Sequence, residues 1–105
     1  MPAPTPIITL LCHPVAVTTA STECLAAKAV GNRTSITFHN PGSIAVFVCP
    51  ETDATGAALP AVVSGAGMLE IIGGASQTVN NPSGAGWNCI AASSAVLTVL
   101  EFVSP

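Results

Sequence analysis

From residue 7 onward, short apolar runs alternate with turn residues at the spacing of β-strands. The runs predict strands at Ile7–Leu11, Val15–Thr18, Glu23–Ala26, Thr34–His39, Ile44–Cys49, Met68–Ile72, Gln77–Val79, Trp87–Ala92 and Val96–Val103. Val, Ile and Thr dominate them, and β-branched side chains suit a pleated sheet better than a helix. The alanine-rich stretch Leu25–Val30 lasts less than two helical turns before Gly31-Asn32 stops it. Almost no helix is expected.

The faces of these strands carry more than their number. Ile36 and Phe38 share one face of the fourth run, while Ser35, Thr37 and His39 share the other, which marks a half-buried strand. Asn40-Pro41-Gly42-Ser43 follows it, with Pro and Gly at the central positions that suit a type II turn. Ile44 to Cys49 is then apolar on both faces. The last run repeats this: Ala95, Leu97 and Val99 face one way, and Val96, Leu100 and Phe102 the other. A strand apolar on both faces lies centrally in a sandwich or is covered by something else, so two of them predict burial against a partner.

The expected fold is all-β: an antiparallel β-sandwich over residues 7–105, jelly-roll-like or immunoglobulin-like, preceded by an extended arm over residues 1–6. Three of the arm's six residues are proline, which cannot donate to a sheet ladder. The arm is expected to lie against a neighbouring subunit or shell, with Ile7 and Ile8 as its apolar anchor.

Composition narrows the function. Of 105 residues only 7% are charged, where about a quarter is usual. Two basic residues, Lys28 and Arg33, cannot build a phosphate-binding patch, so nucleic acid is excluded as a partner. A hydrophobic content of 50% and a mean hydropathy of +0.67 exclude disorder. No Lys or Arg precedes Lys28, and Ile7–Leu11 is too short for the core of a signal peptide. Leu10-Leu11 before Cys12 does not fit a lipoprotein cleavage site. The uncharged run Ile71–Leu100 is broken by Gly73-Gly74, Asn80-Asn81-Pro82 and Gly84-Ala85-Gly86, so it cannot be one spanning helix. A soluble protein without a membrane partner is expected.

Candidate chemistry is sparse. Cys12, Cys24, Cys49 and Cys89 do not form C-x-x-C pairs, and with two histidines they make a poor zinc site. A Cys49–Cys89 bridge across two sheets is geometrically conceivable, and the sequence does not decide on one between Cys12 and Cys24; free thiols fit assembly in a reducing cytoplasm better. Cys12 and His13 are adjacent, whereas the partners of a catalytic dyad come from distant sequence. Glu51 and Asp53 lack the further acidic ligands of a calcium cage. No G-x-S-x-G elbow or phosphate loop is present. No catalytic residue, cofactor or metal is expected. Arg33 is either an edge-strand solubility charge or half of a fixed ion pair, and the first reading is preferred. Trp87 is read as a core anchor at a loop base rather than an interface hot spot.

Asn32-Arg33-Thr34-Ser35-Ile36-Thr37-Phe38-His39-Asn40-Pro41-Gly42-Ser43, followed by Val46-Phe47-Val48, resembles small β-sandwich virion proteins of tailed bacteriophages. Gly67-Met68-Leu69-Glu70-Ile71, Trp87-Asn88-Cys89-Ile90-Ala91 and Leu97-Thr98-Val99-Leu100-Glu101 are similar to the later strands of that pattern, so the resemblance spans Val15 to Glu101. It implies a non-enzymatic structural protein that decorates and cements a capsid, made in the host cytoplasm and ending on the virion surface. Its implied partners are the major capsid protein, other virion proteins and copies of itself. A head spike, fibre base or tail fitting is the alternative within the family. A small carbohydrate- or surface-binding sandwich is the alternative outside it. The interface candidates are Pro4, Pro6, Ile7 and Ile8 in the arm, then Arg33, Ile44, Val46, Val48 and Phe102.

Overall fold

The computed structural model describes residues 9–27, 33–52, 55–65, 68–80 and 85–103, and there the apolar runs become eight strands. They are β1 (Thr9–Val17), β2 (Thr22–Leu25), β3 (Arg33–His39), β4 (Val46–Pro50), β5 (Leu69–Ile71), β6 (Ser76–Asn80), β7 (Trp87–Ala91) and β8 (Ala95–Val103). No helix occurs among the described residues. The proline-rich arm, with Pro4, Pro6, Ile7 and Ile8, lies outside them.

Two expected strands on either side of Pro14 are one. β1 pairs with β8 without interruption from Thr9↔Val103 to Val17↔Ala95, with Pro14 opposite Thr98. The reason is position: β1 is at the edge of its sheet, where a missing N–H can face the open side and leave the ladder intact.

The front sheet has the order β1-β8-β3-β6 and the back sheet β2-β7-β4-β5. β1 pairs with β8, β2 with β7, β3 with β6 and β4 with β5, all antiparallel. The chain is therefore one long hairpin rolled onto itself, and of the two windings expected it adopts the jelly roll. Between the sheets lie Val17, Ile36, Phe38, Leu97 and Val99 from the front, and Leu25, Val46, Val48, Ile71, Trp87, Cys89 and Ala91 from the back. The rings of Phe38 and Trp87 meet across the sandwich, tilted by 54° with centroids 5.1 Å apart. Such a pair contributes about 0.5–1.5 kcal/mol beyond its buried area. Trp87 is the core anchor that its glycine-flanked strand predicts.

The turn after β3 departs from expectation. Gly42 does not adopt the left-handed conformation that a type II turn needs, which the described glycines reserve for Gly56 and Gly74. The Asn40 side chain shapes the turn instead, accepting from the Gly42 N–H at 3.0 Å. Asn40 is wholly buried, and its amide donates to the Ile44 and Ile71 carbonyls at 2.6 and 2.9 Å. Its backbone carbonyl accepts from Gly74 N at 2.8 Å. One asparagine thus fastens the β3–β4 crossing to the β5–β6 turn, and a Cβ on Gly73 would stand 2.9 Å from the Gly42 carbonyl oxygen.

Candidate interaction face

Alternation along a paired sheet divides the outer surface of the front sheet into two halves. β1 and β8 present Leu10, Cys12, Pro14 and Ala16 beside Phe102, Leu100, Thr98 and Val96. Leu10 and Val96 are 53% and 50% exposed, and Cys12 and Ala16 are also exposed. β3 and β6 present Ser35, Thr37 and His39 opposite Asn80, Thr78 and Ser76. This half satisfies itself: Thr37 and Thr78 hydroxyls lie 2.9 Å apart, and His39 Nδ1 is 2.8 Å from Ser76 Oγ. Neither half carries a carboxylate, lysine or arginine.

The outer surface of the back sheet is different. Phe47 and Cys49 point outward from β4, yet they are 7% and 0% exposed. Phe47 stands between Glu70 of β5 and Ile90 of β7, and the segment following β4 folds back over Cys49. The Leu59 carbonyl accepts from the Asn88 amide at 3.0 Å and the Cys49 thiol at 3.5 Å, and Ala61 N–H donates to Ser21 Oγ at 2.8 Å. Both strands predicted to be apolar on two faces are so, but only β8 leaves its second face uncovered by the described residues.

This sorts the interface candidates. Val46 and Val48 are fully buried between the sheets, so they are core residues and not surface. Ile44 is partly buried and packs against the same core. Phe102 is half-buried on the open apolar half.

Arg33 is also corrected. β3 is an interior strand, and Arg33 is 4% exposed, so it is the fixed ion pair rather than an edge charge. Its Nε donates to Glu101 Oε2 at 2.7 Å, and its other nitrogens donate to the Ala85 and Ala26 carbonyls at 2.9 and 2.8 Å. Glu101 is fully buried, with His13 Nε2 3.2 Å from its other oxygen. Arginine, with a planar fork and a permanent charge, can satisfy three acceptors at once in such a place. The group joins β1, β3 and β8 to the residues flanking β2 and β7, and so stitches one end of the sandwich. Glu101 shows in the sequence only as a polar residue in an alternating apolar run, and Asn40 only as the first residue of the Asn40-Pro41-Gly42-Ser43 turn, with no sign that its side chain is buried.

The four cysteines are free thiols. Cys49 and Cys89 cannot bridge two sheets, because β4 and β7 are neighbours in the same sheet and Val48, not Cys49, stands opposite Cys89. Among the described residues no group of three or more His, Cys, Asp or Glu side chains is placed to hold a metal ion. Glu51 lies beside Glu23, and the hydrogen bond their carboxyls share, with partial burial and like charge, raises the Glu51 pKa above its ordinary value.

No protein-family profile matches the sequence, and no curated protein is similar enough to count as a relative. Solved structures do match the fold. A subunit of the Bacillus endospore appendages, a family of disulfide-linked pili, superposes with a TM-score of 0.57 at 13% identity, over 95% of this chain and 88% of that one. A protein from Neisseria meningitidis matches with a TM-score of 0.49 at 17% identity, over 92% of this chain and 82% of that one. At such identity the first likeness establishes a shared β-sandwich fold and nothing further.

Proposed function

We propose that this chain is a non-enzymatic structural subunit that works packed among other protein subunits, docking through the apolar β1–β8 half of its front sheet. The observation that carries the reading is the uncovered Leu10, Ala16, Val96 and Leu100 surface on a chain that covers its other apolar face itself. Contiguous exposed apolar surface marks a protein or membrane contact. An uncharged face can be buried without stripping water from ions.

The form of assembly we put first is decoration of a virion head shell, which the Asn32–Val48 pattern favours. A decoration protein binds the assembled shell better than loose subunits and stabilises it by mass action. A polymer of this chain alone is the second reading, favoured by the pilus subunit that shares its fold. A carbohydrate-binding module has less support. Such modules stack sugars on exposed aromatic rings, and none of the four aromatics here, Phe38, Phe47, Trp87 and Phe102, is exposed.

Sedimentation and electron microscopy of the purified chain, alone and mixed with undecorated shells of its phage, test this. Small particles that saturate the shell and raise its resistance to heat support decoration. Filaments of the chain alone support the polymer reading. A monomer that binds neither itself nor shells would overturn both.

A further inference from the structure

Cys24 and Cys89 occupy a place that neither the assembly reading nor the core alone accounts for. On β2 and β7, Thr22 stands opposite Cys89 and Leu25 opposite Trp87, with a register shift between Glu23 and Leu25. Cys24 is the extra residue of a β-bulge. The irregularity turns two consecutive side chains, Cys24 and Leu25, into the core where strict alternation would admit one. Cys24 and Cys89 therefore share the inner face of hydrogen-bonded neighbouring strands, one step off directly opposite. The Cys24 thiol donates to the Trp87 carbonyl at 3.4 Å, and Cys89 Sγ is 3.8 Å from Thr22 Oγ1.

The other cysteines are placed differently. Cys49 faces outward under the segment that covers β4, and Cys12 lies on the outer face of the opposite sheet.

Access is one-sided. Cys24 lines a pocket of about 230 Å³ with His13, Glu23, Leu25, Ala26, Ala27 and Glu101, whereas Cys89 is 0% exposed. The carboxylate of Glu23 at this pocket, with Glu51 beside it, favours a cationic visitor over an anionic one.

We propose that Cys24 and Cys89 are a two-thiol oxidation site which a small cationic disulfide, entering that pocket, closes into an intrachain disulfide. The Cys24 thiolate attacks the S–S bond of the visitor, one aminothiolate leaves, and Cys24 carries a mixed disulfide. The Cys89 thiolate then attacks the Cys24 sulfur, the Cys24–Cys89 bond forms and the second aminothiolate leaves. The two protons of the protein thiols end on the two departing thiols. The protein loses two electrons and the visiting disulfide gains them. Its place on the pocket, not its acidity, makes Cys24 the first to react, since the neighbouring Cys89 and burial raise its pKa; the Cys24 thiol and the Thr22 hydroxyl lower the Cys89 pKa, although burial opposes them. The buried sulfur is thus poised as the resolving thiolate. Diagonal cross-strand neighbours are about 7–8 Å apart and a disulfide needs a Cα separation near 5.5–6 Å, so closure draws β2 inward by roughly 2 Å. A four-residue edge strand can make that shift.

The test uses cystamine on the full-length protein, followed by denaturation, alkylation of remaining thiols and peptide mass mapping. In a Cys12→Ser variant, which leaves the core untouched, the expected product is lighter by two hydrogens, with peptides joined through Cys24 and Cys89 and only Cys49 alkylated. Cys89→Ser should trap Cys24 as the cysteamine mixed disulfide, and Cys24→Ser should leave Cys89 unmodified. The bridged form should melt about 10 °C higher. Alkylation of both Cys24 and Cys89 after a treatment that fully modifies Cys12 in the wild type would overturn the proposal. So would a bridge to Cys49 or between chains.

Discussion

The two outer faces of the sandwich begin alike and end differently. Each has apolar side chains where alternation directs them to solvent: Phe47 and Cys49 on the back, Leu10, Val96, Leu100 and Phe102 on the front. On the back, the long connection between β4 and β5 lies over the face and satisfies its polar groups through Leu59 and Ala61. On the front, β1 and β8 are reached by short connections, and no described segment returns over them. Apolarity on both faces of a strand therefore signals a cover without saying whose. The long β4–β5 connection supplies the cover on the back, while on the front the described residues leave its place open.

The largest expected effect breaks the covered face. Phe47→Ala removes a ring buried on the back face and should cost about 3–5 kcal/mol of stability, read as a lower urea midpoint with unchanged slope. A loss below about 1 kcal/mol would mean that the back face is only loosely covered.

The open face should respond in the opposite currency. Leu10→Ser combined with Val96→Ser alters side chains that are half-exposed in the free chain, so stability should move by no more than about 0.5 kcal/mol per site. Assembly should weaken strongly, because residues at the centre of an interface carry most of its energy. Binding to shells or copies at wild-type strength would remove this half of the front sheet from any interface.

Why one face was easier to foresee than the other follows from how far apart the partners lie in the chain. The alternation of Ile36 and Phe38 against Ser35, Thr37 and His39 is local, and β3 runs from Arg33 to His39 much as that pattern predicts. Trp87 was legible as core for the same reason. The joining of the first two apolar runs through Pro14 was not, because it depends on β1 being an edge strand, which is a property of the sheet. The bulge at Cys24 leaves no mark in a four-residue strand. Arg33 finds Glu101 68 positions away, and nothing local distinguishes that carboxylate from the others. The candidates Val46 and Val48 failed as surface residues through the same ambiguity: a run apolar on both faces does not tell which side meets the core and which the cover.

The smallest effect tests charge on the covered side, where Glu51 meets Glu23. The shared hydrogen bond, partial burial and like charge raise the Glu51 pKa in the folded protein above its unfolded value. A carboxyl raised on folding favours the native state in its protonated form. Its contribution is fully present below the unfolded pKa and is lost as pH rises through the folded one. Wild-type protein should therefore lose a little stability between the usual carboxylate range and neutrality, over and above what its other groups contribute. Glu51→Gln removes that step, so the difference in melting temperature between variant and wild type should grow in the variant's favour as pH rises through this window. The side chain is only partly buried, which keeps the effect well below that of Phe47→Ala. Parallel curves for the two proteins across the window would show that the Glu23–Glu51 contact does not persist in solution, and that the back face holds its cover without any electrostatic cost.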